Sequence, residues 1–281
     1  MSHQPQRPRL GQNFLVSPTA QIAIADALGD VSQRTVVEIG PGRGAITQIL
    51  ARRASRLIAI ELDRALAAHL QADFADRPNV TILNQDILST DLAGLRTDLN
   101  DKLLVVGNLP YYITSDILLH LFAANTVMER AVLMIQREVA DRVAAQPGSR
   151  DYGLLSVTAQ LYARVEKLFT LPPGAFAPPP QVHSSVLRLT MESRVAEPGL
   201  TSSPDQPDPA AAFLRFVRNC FAQKRKTLAN NLRAAGYAAE TIAAAIASCA
   251  IPPQSRAEQL DLAALASLWR ALTLARQTDS C

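Results

Sequence analysis

Thr35-Val36-Val37-Glu38-Ile39-Gly40-Pro41-Gly42-Arg43-Gly44 reads as a short buried strand that ends in a glycine-rich turn, with the helical stretch Ala45 to Arg53 after it. Glycines at such a turn let the backbone approach a ligand closely, and the first N–H groups of the following helix add donors. The spacing is Gly-x-Gly-x-Gly, not the Gly-x-Gly-x-x-Gly of dinucleotide binders. A plain tight turn has the same local pattern, so the residues around it decide its meaning.

Outward from this strand, Leu57 to Ile60, Val80 to Leu83, Leu103 to Val106 and Ala131 to Ile135 alternate with helical stretches. Near-continuous apolar strands separated by helices predict a parallel sheet covered on both faces. Val165 to Leu171 and Ser184 to Thr190 extend that sheet to seven strands on one edge, with an antiparallel strand expected there. Upstream, Ser17-Pro18 is a helix start, followed by Ile22, Ala25 and Leu28 at helical spacing. Between Glu192 and Ala210 the composition turns to Pro, Ser, Gly and Asp, with Pro198, Pro204, Pro207 and Pro209, which marks a linker. Beyond it, Ala211 to Ala235, Ala239 to Ser248 and Leu262 to Ala275 read as helices, with Gly236 as a C-cap. The expected organisation is an α/β domain over residues 1–192 and a linker with a small all-α domain over 193–281.

With 281 residues and 48% hydrophobic content the chain can bury a full core. Its longest apolar run in the central region, Ala131 to Ile135, is far below the roughly 20 residues of a membrane span. Met1 to Leu10 contains no apolar stretch suited to a signal peptide, so a soluble, cytoplasmic protein with no membrane partner is expected. Cys220, Cys249 and Cys281 lie far apart and share no metal-ligand spacing with the four histidines, so neither a metal site nor a disulfide framework is expected. A net charge of only +3 does not by itself announce nucleic-acid binding. The position of the charge matters more: Arg215, Arg218, Lys224, Arg225, Lys226 and Arg233 sit in a segment without a single acid. Such a cluster suits a phosphate backbone, with Arg218, Lys224, Arg225 and Lys226 as its expected centre and Arg7 and Arg9 as an extension.

Two acids stand where parallel strands end and ligands gather. Glu61 ends the second strand and can accept both hydroxyls of a ribose; Asp86 follows the third and can accept from an adenine amino group. Together with Gly40 and Gly42 they point to a nucleoside-containing cofactor, while Asp63 suffices to cap the next helix. After the fourth strand comes Asn108-Leu109-Pro110-Tyr111. The amino group of adenine is a poor nucleophile because its lone pair is delocalised into the ring. If the Asn108 side-chain oxygen and the Leu109 carbonyl each accept one of its protons, the nitrogen is held pyramidal, and positioning replaces a strong base. Pro110 fixes the turn, and Tyr111 offers a face for stacking.

The chain resembles the small-subunit ribosomal RNA adenine dimethyltransferases, the ribosomal RNA small subunit methyltransferase A family, over nearly its whole length. The resemblance rests on Leu10-Gly11-Gln12-Asn13-Phe14-Leu15, Glu38 to Gly44, Glu61, Asp86 and Asn108 to Tyr111. It continues through Phe176-Ala177-Pro178-Pro179-Pro180-Gln181-Val182-His183-Ser184, Gln223-Lys224-Arg225-Lys226-Thr227-Leu228 and Arg256-Ala257-Glu258-Gln259-Leu260. It implies a class I Rossmann-like methyltransferase fold and an enzyme that dimethylates adenine amino groups of 16S ribosomal RNA in the assembling small subunit. It further implies that Asn13, Leu15, Gly40, Glu61, Asp86 and Asn108 line an S-adenosylmethionine pocket, and that Tyr111 and Phe176 sandwich the flipped adenine. A monomer is expected. The family often carries a polar residue after the first tyrosine; here it is Tyr112, which leaves open which ring stacks on the base. Of the histidines, His69 and His120 are expected on helices as surface or packed residues, and His183 in a proline-rich loop. The nearest rival is the related group that methylates large-subunit RNA, with the same site residues. A DNA adenine methyltransferase, a nicotinamide dehydrogenase and a non-catalytic assembly factor fit the turn at Asn108 and the paired acids less well.

Overall fold

The structure is a computed structural model that describes residues 12–194 and 208–278, with side chains to residue 275. Arg7, Arg9, Leu10, Gly11, the prolines 198, 204 and 207 of the expected linker, and Cys281 lie outside the described residues. The described chain forms β1 (Phe14–Leu15), α1 (Pro18–Ala27), β2 (Thr35–Ile39), α2 (Thr47–Leu50), β3 (Arg56–Glu61), α3 (Arg64–Asp73) and β4 (Val80–Asn84). There follow β5 (Leu103–Asn108), α4 (Thr114–Ala123), β6 (Met128–Gln136), α5 (Arg137–Val143), α6 (Leu154–Tyr162), β7 (Ala163–Leu171), β8 (Phe176–Ala177) and β9 (Ser184–Met191). The last four helices are α7 (Pro209–Cys220), α8 (Leu228–Ala234), α9 (Ala239–Ser248) and α10 (Leu262–Thr278).

The chain divides into two compact units, residues 1–140 with 164–191 and residues 141–163 with 192–281. Composition suggests a single boundary after residue 192, whereas the second unit also takes in residues 141–163. Tyr152, Val157 and Leu161 from that inserted stretch pack in one cluster with Phe213, Leu232 and Trp269. Their apolar periodicity serves this helical core, a destination that linear sequence does not encode.

The first unit holds a seven-stranded sheet in the order β4-β3-β2-β5-β6-β9-β7. Its five strands from β4 to β6 pair in parallel, and β9 runs antiparallel to β6. All five residues of β2 are buried, as a strand covered on both faces requires. The chain runs outward from β2 through β3 to β4, then returns to place β5 on the other side of β2. That reversal makes the carboxyl ends of β2 and β5 the switch point at which such sheets bind ligands. A separate two-stranded pairing joins β1 to β8, matching Phe14 with Ala177 and Leu15 with Phe176.

Local chemistry explains the helix boundaries. Ser17 caps α1, with Pro18 in its first turn, and Asp63 caps α3 by accepting from the amides of Ala65 and Leu66. The helix expected over 45–53 shrinks to α2, because Gly40, Gly42 and Gly44 all hold positive φ and the chain is still turning when it reaches Ile46.

In the second unit, α7 buries Phe213, Phe216, Val217 and Cys220, an i, i+3, i+4, i+7 stripe, and exposes Arg215 and Arg218 on the other side. The edge of the Phe213 ring meets Trp269 at 5.9 Å between centroids. The single helix expected over 211–235 is broken into α7 and α8, with a turn over 221–227. The cause is Asn231, a buried amide whose Nδ2 donates to the carbonyls of Cys220 (2.7 Å) and Gln223 (3.2 Å) while its Oδ1 accepts from the Gln223 amide at 3.2 Å. Thr227 then caps α8. Gly236, at φ +89°, closes α8 through Tyr237 N–H to Leu232 O and Gly236 N–H to Arg233 O, the C-terminal motif expected of it.

Candidate functional site

At the switch point the first unit opens a cleft that is partly open to solvent. Asn13, Gly40, Gly42, Glu61, Asp86, Asn108, Leu109, Pro110 and Tyr111 all line it. Nine of the residues singled out in sequence therefore converge from five separate segments.

The turn after β2 forms one wall. Gly42 has φ +59°, and a Cβ there would lie 3.0 Å from the Phe14 ring, so any side chain would strain the backbone and press on Phe14. The Gly42 amide donates to Glu61 Oε2 at 3.0 Å, and the Asp63 amide donates to Oε1 at 2.9 Å. Glu61 is only 4% exposed. Burial pushes its carboxyl above the ordinary range, against the pull of the Asp63 and Gly42 amides. Each oxygen carries one backbone donor, and its second lone pair remains for a ligand. Asp86 is half-buried and uses Oδ1 to accept from the Leu88 amide at 2.9 Å. Its loop is drawn tight by Thr90, whose hydroxyl donates to the Asp86 carbonyl (2.8 Å) and accepts from Gln85 (2.8 Å). His120 on α4 meets the Thr90 carbonyl through Nε2 at 3.1 Å, so this helical histidine packs against the acid's loop.

Beneath the turn lies Glu38, 2% exposed, with Oε2 lacking a hydrogen-bond partner. Burial pushes its carboxyl up to about 7, the Thr47 hydroxyl and amide opposing and the charge of Glu61 adding to the rise.

The opposite wall is the turn after β5. Asn108 donates from Nδ2 to the Asn13 carbonyl at 2.9 Å, which orients the amide and leaves Oδ1 as its acceptor end. The Leu109 amide donates to Met134 O on β6 at 3.0 Å, and Leu109 itself is buried. Pro110 sits at φ −65°, and its carbonyl accepts from the Thr114 hydroxyl at 3.0 Å. The Tyr111 hydroxyl lies 2.9 Å from that of Ser184. Tyr112 also lines the cleft but is 60% exposed.

Two expected site residues are not brought to the cleft. Leu15 and Phe176, paired across β1 and β8, are 6% and 3% exposed and pack in the core with Ile24 and Val186. Phe14, at the neighbouring position, faces the cleft instead, and the Arg43 guanidinium lies 4.6 Å above its ring. Alternation along β1 separates the two: successive side chains point to opposite sides. Arg218, Lys224, Arg225 and Lys226 belong to the second unit, where all four are exposed. Lys224, Arg225 and Lys226 occupy the turn between α7 and α8 rather than a helix.

The sequence profile of the ribosomal RNA adenine dimethylase family matches residues 3–273. The chain belongs to that family. It is 62% identical over 266 residues to ribosomal RNA small subunit methyltransferase A of Acidobacterium capsulatum, with 95% of this chain and 91% of the relative covered. To the protein of the same name from Koribacter versatilis it is 49% identical over 278 residues, covering 95% and 94%. Among solved structures it is similar to the 23S rRNA methyltransferase ErmE, at a TM-score of 0.69 and 25% identity, covering 93% of this chain and 100% of that one. A dimethyladenosine transferase from Plasmodium falciparum shares the fold, at a TM-score of 0.75 and 22% identity over 93% and 98% of the two chains.

Residue-level reading of this family member missed Phe14 as a cleft residue and gave no role to Gly107. A Cβ on Gly107 would lie 2.9 Å from the Ile39 carbonyl, so glycine is what lets β5 close on β2 at the switch point. The available signal was a glycine inside an otherwise apolar strand, which marks a close backbone approach.

Proposed function

We propose that this chain transfers methyl groups from S-adenosylmethionine to the exocyclic amino groups of adenines in 16S ribosomal RNA, giving dimethyladenosine in the assembling small subunit. The observation that carries the reading is the Asn108 to Tyr111 turn, which opens into the cleft with the Asn108 amide already oriented by Asn13. The residues present suit the cofactor. Glu61 keeps acceptor capacity for a ribose diol, Asp86 lines the cleft as an acceptor suited to an adenine amino group, and the Gly40 and Gly42 backbone leaves room for close approach. Asn13 and Phe14 also line the cleft. When bound, S-adenosylmethionine supplies an electrophilic methyl group.

The chain's own part is orientation. Asn108 Oδ1 and the Leu109 carbonyl accept the two protons of the target amino group, so its lone pair points into the cleft without a strong base. Tyr111 stacks on the extruded base. Burial of Phe176, paired with Leu15 of β1, favours a supporting role for that ring. In the helical unit, Arg218 and the turn at Lys224, Arg225 and Lys226 bind RNA phosphates. Identity of 62% to a small-subunit enzyme, against 25% to a large-subunit one, supports the small-subunit substrate. The chain acts as a monomer, and the site of action is the cytoplasm, where subunits assemble.

The test is mass spectrometry of ribosomal RNA from cells lacking the gene, with purified protein and S-adenosylmethionine added to the RNA particles. Dimethyladenosine absent from the cells and restored in vitro is expected; an unchanged modification pattern rejects the reading.

A further inference from the structure

Five hydrogen bonds tack down the turn after β5. Four of them, Asn108 Nδ2 to Asn13 O, Leu109 N–H to Met134 O, and both the Thr114 hydroxyl and the Ile113 N–H to Pro110 O, hold backbone or the amide. Among the described residues only the fifth, between the hydroxyls of Tyr111 and Ser184, holds the aromatic ring. Ser184 is fully buried and opens β9 opposite Gln136 of β6. The residue before it, His183, accepts from the Arg137 amide at 3.0 Å, so the sheet dictates where the Ser184 hydroxyl sits. A tyrosine held only at its backbone end swings between rotamers. Held at its hydroxyl as well, it has one orientation.

We infer that Ser184 is a positioning residue for methyl transfer: its buried hydroxyl anchors the Tyr111 phenol so that the ring presents a fixed face to the target base. This rests on the reading of Tyr111 as the stacking residue. One consequence is that the Tyr111 hydroxyl acts as an anchor, not as a proton carrier. Another concerns the order of the two transfers. Adenine offers two protons to Asn108 Oδ1 and the Leu109 carbonyl, whereas the monomethylated amine has only one left. The second transfer therefore has fewer polar contacts to place the nitrogen and depends more on the stacked ring. Loss of the anchor falls mainly on the second methylation.

Ser184→Ala, Tyr111→Phe and the double variant, as full chains, are given small-subunit RNA particles and S-adenosylmethionine, and mono- and dimethyladenosine are followed over time. Each single variant is expected to slow the second transfer roughly fivefold, as loss of one hydrogen bond would, and the first transfer less. The double variant is expected to be no slower than either single one, because both remove the same bond. Cofactor affinity by calorimetry stays at the parent value, and Ser184→Thr, which keeps a hydroxyl, restores the parent product ratio. Losses that multiply in the double variant, or a parent-like product ratio in Tyr111→Phe, overturn the inference. The latter decides even if Ser184→Ala does not fold, since the Tyr111 ring is only half-buried. A parent protein that leaves adenine unmodified rejects the functional reading itself; a methylating parent with unaffected variants rejects only the anchor.

Discussion

In the sheet unit Glu38 beneath the glycine turn and Glu61 on the cleft wall are buried, and Glu61 is held by backbone amides at both oxygens. In the helical unit the charges assigned to RNA, Arg218 and Lys224 to Lys226, are all exposed. A buried polar group interacts at low effective dielectric and leaves an unmet partner when it is removed; an exposed one is screened by water and salt. Substitutions in the first unit should therefore produce large, specific effects, and those in the second small and collective ones.

The strongest attempt to break that contrast is Asn108→Ala. It removes a pre-oriented acceptor, so turnover is expected to fall about a hundredfold or more, while cofactor affinity changes far less. Single-turnover kinetics with saturating RNA reads the effect, and a parent-like rate would end the proposed mechanism.

Glu38 tests the contrast through stability. Its carboxyl is pushed up to about 7 in the folded chain, from an ordinary value of 4.5. Between those values the native state keeps a proton that the unfolded state has released. Stability should therefore decline as pH rises from about 4.5 to about 7, by at most about 3 kcal/mol, and level off above. Glu38→Gln is expected to remove that decline. Denaturant unfolding at pH 5 and pH 8 checks it, and equal pH dependence in parent and variant would count against a neutral buried Glu38.

Glu61→Ala sharpens the comparison within the cleft. Loss of two charge-assisted bonds to a ribose diol should weaken S-adenosylmethionine binding by roughly 2 kcal/mol. Calorimetry measures it directly; unchanged affinity in Glu61→Ala would move the ribose elsewhere.

The smallest effect at fixed salt is expected for Lys224, Arg225 and Lys226 replaced together by alanine. Cofactor affinity should stay intact, RNA binding should weaken, and the slope of log affinity against log salt should flatten by roughly 0.7 per lost contact, up to about 2 units. Parallel salt plots for parent and variant would show that this turn is merely solvated.

Legibility followed the same division. Strand positions, the glycine turn, Glu61, Asp86 and Asn108 could be read because each depends on its own neighbours: an apolar run, a turn residue, an acid at a strand end. The break at 221–227 could not, because its cause is the Asn231 amide reaching back to Cys220, eleven residues earlier. Phe176 looked like a cleft residue by resemblance, yet its pairing with Leu15 buries it.

The amino-acid sequence alone determined which elements form, in what order, and which side chains carry acceptors or charge, because periodicity and turn chemistry act over a few residues. Tertiary structure alone decided that Phe14 and not Leu15 lines the cleft, that residues 141–163 join the helical unit, and that Ser184 meets Tyr111 from 73 positions away. Those outcomes depend on strand register and sheet order, which are set by many weak contacts between distant segments and are written at no single position.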